Sequence, residues 1–219
     1  MLIRRPISAG DPWIHSIALG AVFRLVFGLG LLSGFALVLG GLGGCQSTPF
    51  APQTYTLRSL GEGRGVQPIF TTSVYAYEDE NTVDIYMTDL DMRRLNAGEG
   101  LAGHMVHLHL FIRPRVGRTP FQDTAMTATL THVIVASGDV GVYVGGGFFN
   151  PASRAGAKAF SGSIEGGSVR LDRSTPGFRD LLGASLVNAS VRARLDPQQA
   201  EALRVMMARL VRSARPIGS

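Results

Sequence analysis

The sequence predicts a mainly β protein, an antiparallel β-sandwich with a small β-barrel as the alternative, that ends in an α-helix. After residue 53 most of the chain consists of short runs in which apolar and polar residues alternate, the period of a strand with one buried face. Turn-forming residues separate these runs, and glycine alone contributes 28 of the 219 residues. Near the C-terminus the alternation gives way to a helical period. About eight short strands and a terminal helix are typical of a sandwich or a small barrel.

The N-terminal part of the chain contains an uncharged apolar run, residues 25–44, that ends immediately before Cys45, the only cysteine. Its length suits either a membrane-spanning helix or the apolar core of a signal peptide. Seven of its 20 residues are glycine, several of them at its end, and each interior glycine costs about 1 kcal/mol of helix stability relative to alanine. The composition therefore favours a removable signal peptide over residues 1–44.

The last four residues of this region, Leu42-Gly43-Gly44-Cys45, resemble the lipobox of bacterial lipoproteins, which has an aliphatic residue and two small residues before the cysteine. The resemblance covers residues 1–45 only. It implies that the thiol of Cys45 receives a diacylglyceryl group, that the chain is cleaved before Cys45, and that the new amino group is acylated, for example with palmitate. Gln46 follows in place of aspartate, which by analogy with enteric bacteria favours the outer membrane, facing the periplasm.

The chain after the signal peptide divides into three parts. Residues 45–53 form the lipidated cysteine and a polar tether, residues 54–213 a single β-rich domain, and residues 214–219 a tail. A multiply acylated cysteine anchors a protein stably, whereas one acyl chain binds a membrane only marginally. The membrane, reached through Cys45, is therefore the expected partner, and another envelope protein is a second candidate.

The charge distribution argues against nucleic-acid binding. The formal net charge is +5, but the leader holds three arginines against one aspartate, so 18 basic and 15 acidic residues remain after Cys45. Nucleic-acid binding requires a clustered basic stripe, commonly with stacking aromatic residues, and the mature chain has neither in its sequence. We expect no nucleic acid among its partners.

The segment HMVHLHLFI, which begins at His104, is the most apolar strand predicted for the domain. His107 and His109 project side by side from one face of this strand, and His104 at its edge points elsewhere. Two imidazoles at this spacing can share a zinc or copper ion, and His132 or the acidic residues within 84–91 could supply further ligands. The alternative is a half-buried sheet face with two hydrogen-bonded histidines. These histidines are candidate ligands only, and we expect no metal or other cofactor from the sequence.

The remaining segments complete the predicted sheet. A glycine triplet, residues 145–147, predicts a bulge or wide turn, and Gly166-Gly167 predicts a two-residue hairpin. Thr175-Pro176 can begin a short helix through residue 182. The predicted strands are 54–60, 72–77, 82–87, 104–112, 124–136, 140–144, 160–165, 168–171 and 186–195.

The C-terminal helix has the clearest local signals. Asp196 and Pro197 are typical of the N-cap and first position of a helix. Apolar residues then follow with the spacing of one helical stripe, which predicts either packing on the sheet or binding to a partner. The stripe consists of Leu203, Met206, Met207, Leu210 and Val211.

No catalytic motif stands out. The chain lacks G-x-S-x-G and H-E-x-x-H, and acylation would consume the thiol of Cys45. The sequence therefore favours a lipid-anchored, non-catalytic binding or assembly module of the cell envelope. Two alternatives stay open: a metal-binding envelope protein that uses His107 and His109, and an envelope hydrolase with converging acids or a serine–histidine pair around His104 or His132.

Overall fold

The computed structural model of the chain describes residues 53–79, 82–91, 93–94, 102–111 and 127–218. These residues form one large sheet and a C-terminal helix, so the mainly β class is confirmed. The predicted signal peptide, the lipobox-like motif and most of the predicted tether lie outside the described residues. In chain order the elements are β1 (Thr54–Ser59), β2 (Gly65–Val66), β3 (Thr72–Asp79), β4 (Thr82–Thr88), β5 (Gly103–Leu110), β6 (Ala128–Ala136), β7 (Asp139–Gly147), β8 (Phe149–Pro151), β9 (Ala159–Ser174), β10 (Ser185–Leu195), α1 (Pro197–Ser213) and β11 (Arg215–Pro216).

The strand pairings of the described residues form a ring. β9, β7, β6, β5, β4, β3 and β10 lie side by side in that order, and β10 pairs in turn with β9. β1 and β2 continue from β10, while β8 and β11 pair with β9. All pairs are antiparallel except β3 with β10, where Val74 and Tyr75 lie opposite Arg194 and Leu195. A parallel pair needs a long connection between its strands, and most of the domain separates these two.

Two apolar clusters lie on opposite faces of the sheet. The alternation along β5 divides them: Val106 and Leu108 belong to the first cluster, and Met105 belongs to the second, which also contains the buried face of α1. His107 and His109 therefore share their sheet face with the cluster that packs against the helix.

Helix α1 packs on the sheet, as one of the two alternatives predicted. The Asp196 carboxylate accepts a hydrogen bond from the Gln199 N–H at 3.0 Å, which caps the helix at the predicted position. The helix contributes Ala200, Leu203, Met206 and Met207 to the second apolar cluster, and Leu210 and Val211 pack against it. Within the described ranges, no helix is both long enough and apolar enough to cross a membrane.

β9 is one continuous strand, so the hairpin predicted at Gly166-Gly167 is wrong. Gly166 has a φ of +66°, and the register against β10 shifts between Val187 and Ala189. The two glycines thus produce a bulge within the strand instead of a turn. The side chain of Asn188 accepts a hydrogen bond from the Gly166 N–H at 2.8 Å, which supports the bulge.

The glycine triplet at residues 145–147 also differs from its prediction, because it continues β7 in regular register with β6 and forms neither a bulge nor a turn. A Cβ atom on Gly145 would lie 1.9 Å from the Ser168 carbonyl oxygen. Glycine is therefore required here for the close approach of β7 and β9, not for a turn.

Two further segments differ from the sequence-based expectation. The segment 175–182 is not helical; the Asp180 carboxylate accepts the N–H groups of Leu182 and Gly183, which forms a turn. The predicted tail also contributes to the sheet, because β11 pairs with the end of β9.

The packing of α1 predicts unequal effects of the same substitution at two helix positions. Met207 is buried, whereas Val205 is 47% exposed. Met207→Asp should lower the free energy of unfolding by about 2–5 kcal/mol, because it removes core packing and places a charge in an apolar cluster. The matched control, Val205→Asp, should change it by less than about 1 kcal/mol. Urea unfolding followed by circular dichroism measures both, and equal losses would contradict the packing of α1.

Candidate metal centre

The register of β4 and β5 brings three polar side chains together on the sheet face that carries the helix. Asp84 lies directly opposite His109, and Tyr86 lies directly opposite His107. Side chains that are directly or diagonally opposite on one face are within contact distance. Asp84 therefore reaches both His109 across the pair and His107 on the diagonal.

The contacts of Asp84 define the candidate centre. Its Oδ1 atom lies 2.7 Å from His107 Nε2 and 2.8 Å from His109 Nδ1. One ligand atom from each of the three residues lies within 4.8 Å of the other two. All three side chains are partly exposed, so a dissolved ion can reach them. Among the described residues this is the group that could hold a metal ion.

Electrostatics keep Asp84 ionised. Burial alone would raise the pKa of the Asp84 carboxyl, but the hydrogen bonds and the charges of His107 and His109 outweigh burial and hold this pKa below its usual value. The two ring nitrogens donate to Asp84 in this arrangement. They become metal ligands when the imidazoles are neutral and carry their protons on the other nitrogen.

The surroundings of the centre are aromatic on both sides. The His107 ring stacks on Tyr86, and the His109 ring lies near Phe111, with ring centroids 6.4 Å apart. Burial, followed by the charge of Asp84, raises the pKa of the Tyr86 hydroxyl, which therefore stays protonated.

His132 is not part of this centre. It lies directly opposite Val106 in the β5–β6 register, on the other face of the sheet, and is completely buried. There His132 Nε2 lies 3.0 Å from His104 Nδ1, and His132 Nδ1 lies 3.1 Å from the Tyr55 hydroxyl oxygen. The structure thus separates the four described histidines into two pairs on opposite faces.

His104 and His132, which we call the inner histidine pair, form a hydrogen-bonded chain with Tyr55. Because Tyr55 is buried and His132 is the partner of its hydroxyl, we assign the hydroxyl proton to a bond that Tyr55 donates to His132 Nδ1. His132 then carries its own proton on Nε2 and donates it to His104 Nδ1. Burial lowers the pKa of both imidazoles, and for His132 the proximity of His104 lowers it further.

The sequence predicted part of this arrangement. The side-by-side projection of His107 and His109 from one strand face is confirmed, as is the different direction of His104. Asp84 was only one of several acids in a range, because the chain between β4 and β5 is too long for their register to be deduced. The pairing of His132 with Tyr55 left no signal in the sequence, since these residues lie on distant strands.

Comparison with known proteins adds no functional information. No protein-family model matches the chain, and no curated protein and no solved structure matches it. The functional inference therefore rests on the residues and on the geometry of the site.

The inner histidine pair predicts that the protein loses stability in mildly acidic solution. The pKa values of His104 and His132 are lowered in the folded state, so below pH ~6.5 the unfolded chain binds more protons than the folded chain. The free energy of unfolding should fall between pH 7 and pH 5, by up to about 1.4 kcal/mol per pH unit for each histidine. The pKa values of Asp84 and Asp180 are also lowered. Their protonation reduces the free energy of unfolding mainly below about pH 5.

The variant His132→Gln tests this assignment. It should be less stable at pH 7.5, but its free energy of unfolding should change less steeply with pH, because one of the two neutral imidazoles is gone. Urea unfolding at pH 5, 6 and 7.5 gives both slopes. Identical slopes in the two proteins would show that His132 is not held neutral by burial.

Proposed function

We propose that the chain is a lipid-anchored protein of the bacterial cell envelope whose β domain binds a divalent transition-metal ion through Asp84, His107 and His109. One observation carries the metal-binding part. Two imidazoles and a carboxylate from adjacent strands place three ligand atoms within 4.8 Å of one another. The sequence favours a non-catalytic binding module, and we propose a metal ion as the species that this module binds.

The chemistry of the three side chains determines the class of ion. Imidazole suits zinc, copper and nickel, and a carboxylate is also a common ligand of these ions, whereas calcium and magnesium prefer sites made of oxygen atoms alone. A single divalent ion would replace the two hydrogen bonds to Asp84 and be bound by all three side chains. The three side chains therefore fit a divalent transition-metal ion, and we propose zinc or copper, the two ions that the spacing of His107 and His109 predicts.

The position of the residues also supports the proposal. β4 and β5 each pair along most of their length with a neighbour on either side. Backbone hydrogen bonds therefore define the separation of the three ligand-bearing residues, and a site built on strands is more precise than one built on loops.

The anchoring part of the proposal is supported by the sequence of the leader. Cys45 ends a glycine-rich apolar run in a lipobox-like motif, and a polar tether separates it from β1. We propose that the acylated Cys45 holds the domain at the periplasmic side of the outer membrane. A second envelope protein is the other partner that we propose for the domain at this surface.

Metal titration of the protein purified in detergent tests the metal site. The wild-type chain should bind about one equivalent of Zn²⁺ or Cu²⁺, and bound metal should raise its unfolding midpoint because the ion binds the folded state. Asp84→Asn and His109→Ala should each weaken binding at least about tenfold. Asp172→Asn is the matched control, because it removes an exposed carboxylate that pairs with Arg173. Binding that is absent in the wild type, or equal in all four proteins, would refute the site.

Expression in a Gram-negative host tests the anchor. The wild-type protein should appear in the membrane fraction, with an N-terminal peptide that begins at Cys45 and carries the mass of its acyl groups. Cys45→Ser should accumulate as an unprocessed precursor without lipid, because it has no thiol to modify. Ser47→Ala, a control in the tether, should behave as the wild type. A mature wild-type protein without acyl groups would contradict lipid anchoring but not metal binding.

A further inference from the structure

The closest ring contact of the candidate metal centre joins His107 to Tyr86. The two ring centroids are 4.4 Å apart, and the ring planes differ by 2°. The other ring contacts of the centre are wider, at 6.2 Å between His107 and His109 and 6.4 Å between His109 and Phe111. His107 therefore lies flat on a neighbouring ring, which is not the case for His109.

Tyr86 is itself held firmly in place. It is only 3% exposed and belongs to the apolar cluster that joins the sheet to α1. Val74 lies opposite Tyr86 on the neighbouring strand β3, and Leu203 and Met207 of the helix belong to the same cluster. A side chain packed in this way has few alternative rotamers, so its ring is a fixed surface for the imidazole.

We propose that Tyr86 is a positioning residue of the metal centre, which holds the His107 ring at the angle that directs Nε2 towards Asp84. This inference rests on the proposed metal binding and extends it to a residue that does not contact the ion. An imidazole that rotates freely must be ordered when metal binds, whereas an imidazole already stacked has lost that freedom in the folded protein. This role depends on the flat ring of Tyr86 and not on its hydroxyl group.

The same geometry links the metal centre to the C-terminal helix. One face of the Tyr86 ring meets His107, and the Tyr86 side chain also belongs to the cluster that buries α1. Neighbours that support metal ligands commonly change metal affinity by 10–100-fold when they are removed. The stack differs from the hydrogen bonds that usually provide such support, but it restricts the same ring orientation.

Four proteins test the inference: the wild type, Tyr86→Leu, Tyr86→Phe and Val74→Ala, all as the full chain in detergent. Each is titrated with Cu²⁺ and examined by electron paramagnetic resonance, which reports the ligand geometry of the ion. Tyr86→Leu should bind Cu²⁺ about tenfold more weakly and give a changed spectrum. Tyr86→Phe keeps the ring and should match the wild type. Val74→Ala should lower the unfolding midpoint without altering the affinity, because it loosens the same cluster one strand further from His107.

The outcomes separate this inference from the proposed function. A wild-type protein that binds no Cu²⁺ refutes the metal site and the role of Tyr86 together. A wild type that binds Cu²⁺, with Tyr86→Leu equal to it in affinity and spectrum, refutes the role of Tyr86 alone. Val74→Ala as weak as Tyr86→Leu would also refute it, because general loosening would then explain the loss. If Tyr86→Leu does not fold, Tyr86→Met, which keeps more apolar volume but has no ring, provides the same comparison.

Discussion

The sheet depends on β9, which closes the ring. It pairs with β7 along one edge and with β10 along the other. Its first part pairs with β10, its last part pairs with β7, and Ser168 and Val169 pair with both. β9 spans both pairings because it stays continuous through Gly166-Gly167, where a bulge shifts its register against β10. The hairpin expected from the two glycines would have ended the strand and left β7 and β10 without a shared neighbour.

The candidate metal centre lies on two other strands of the sheet, β4 and β5. β4 lies between β3 and β5, and β5 lies between β4 and β6. Backbone hydrogen bonds therefore hold the strands that carry Asp84, His107 and His109 on both sides. One face of these strands contributes to an apolar cluster, and the other carries polar ligands beside a second apolar cluster. The same alternation that builds the core therefore presents the candidate ligands.

Local patterns predicted the fold class, most strand positions and the helix, because alternation and capping depend on neighbours in the sequence. The cap at Asp196 and the strand predicted at residues 72–77, which is β3, are examples. The failures occurred where tertiary contacts decide. Gly145 looks like a turn residue, yet the nearby Ser168 carbonyl explains it. In the same way Asp84 was not distinguishable from its acidic neighbours, because only the register across a long connection places it beside the histidines.

The two-residue period of β5 has a consequence for how this gene can change. An insertion or deletion of one residue within β5 before His107 would exchange the two faces of the strand. It would move His107 and His109 to the face that carries the first apolar cluster. A change of two residues would keep the faces but move His109 away from its place opposite Asp84. Length variation during evolution should therefore be confined to the connections outside β4 and β5. Point substitutions within these strands do not change the register.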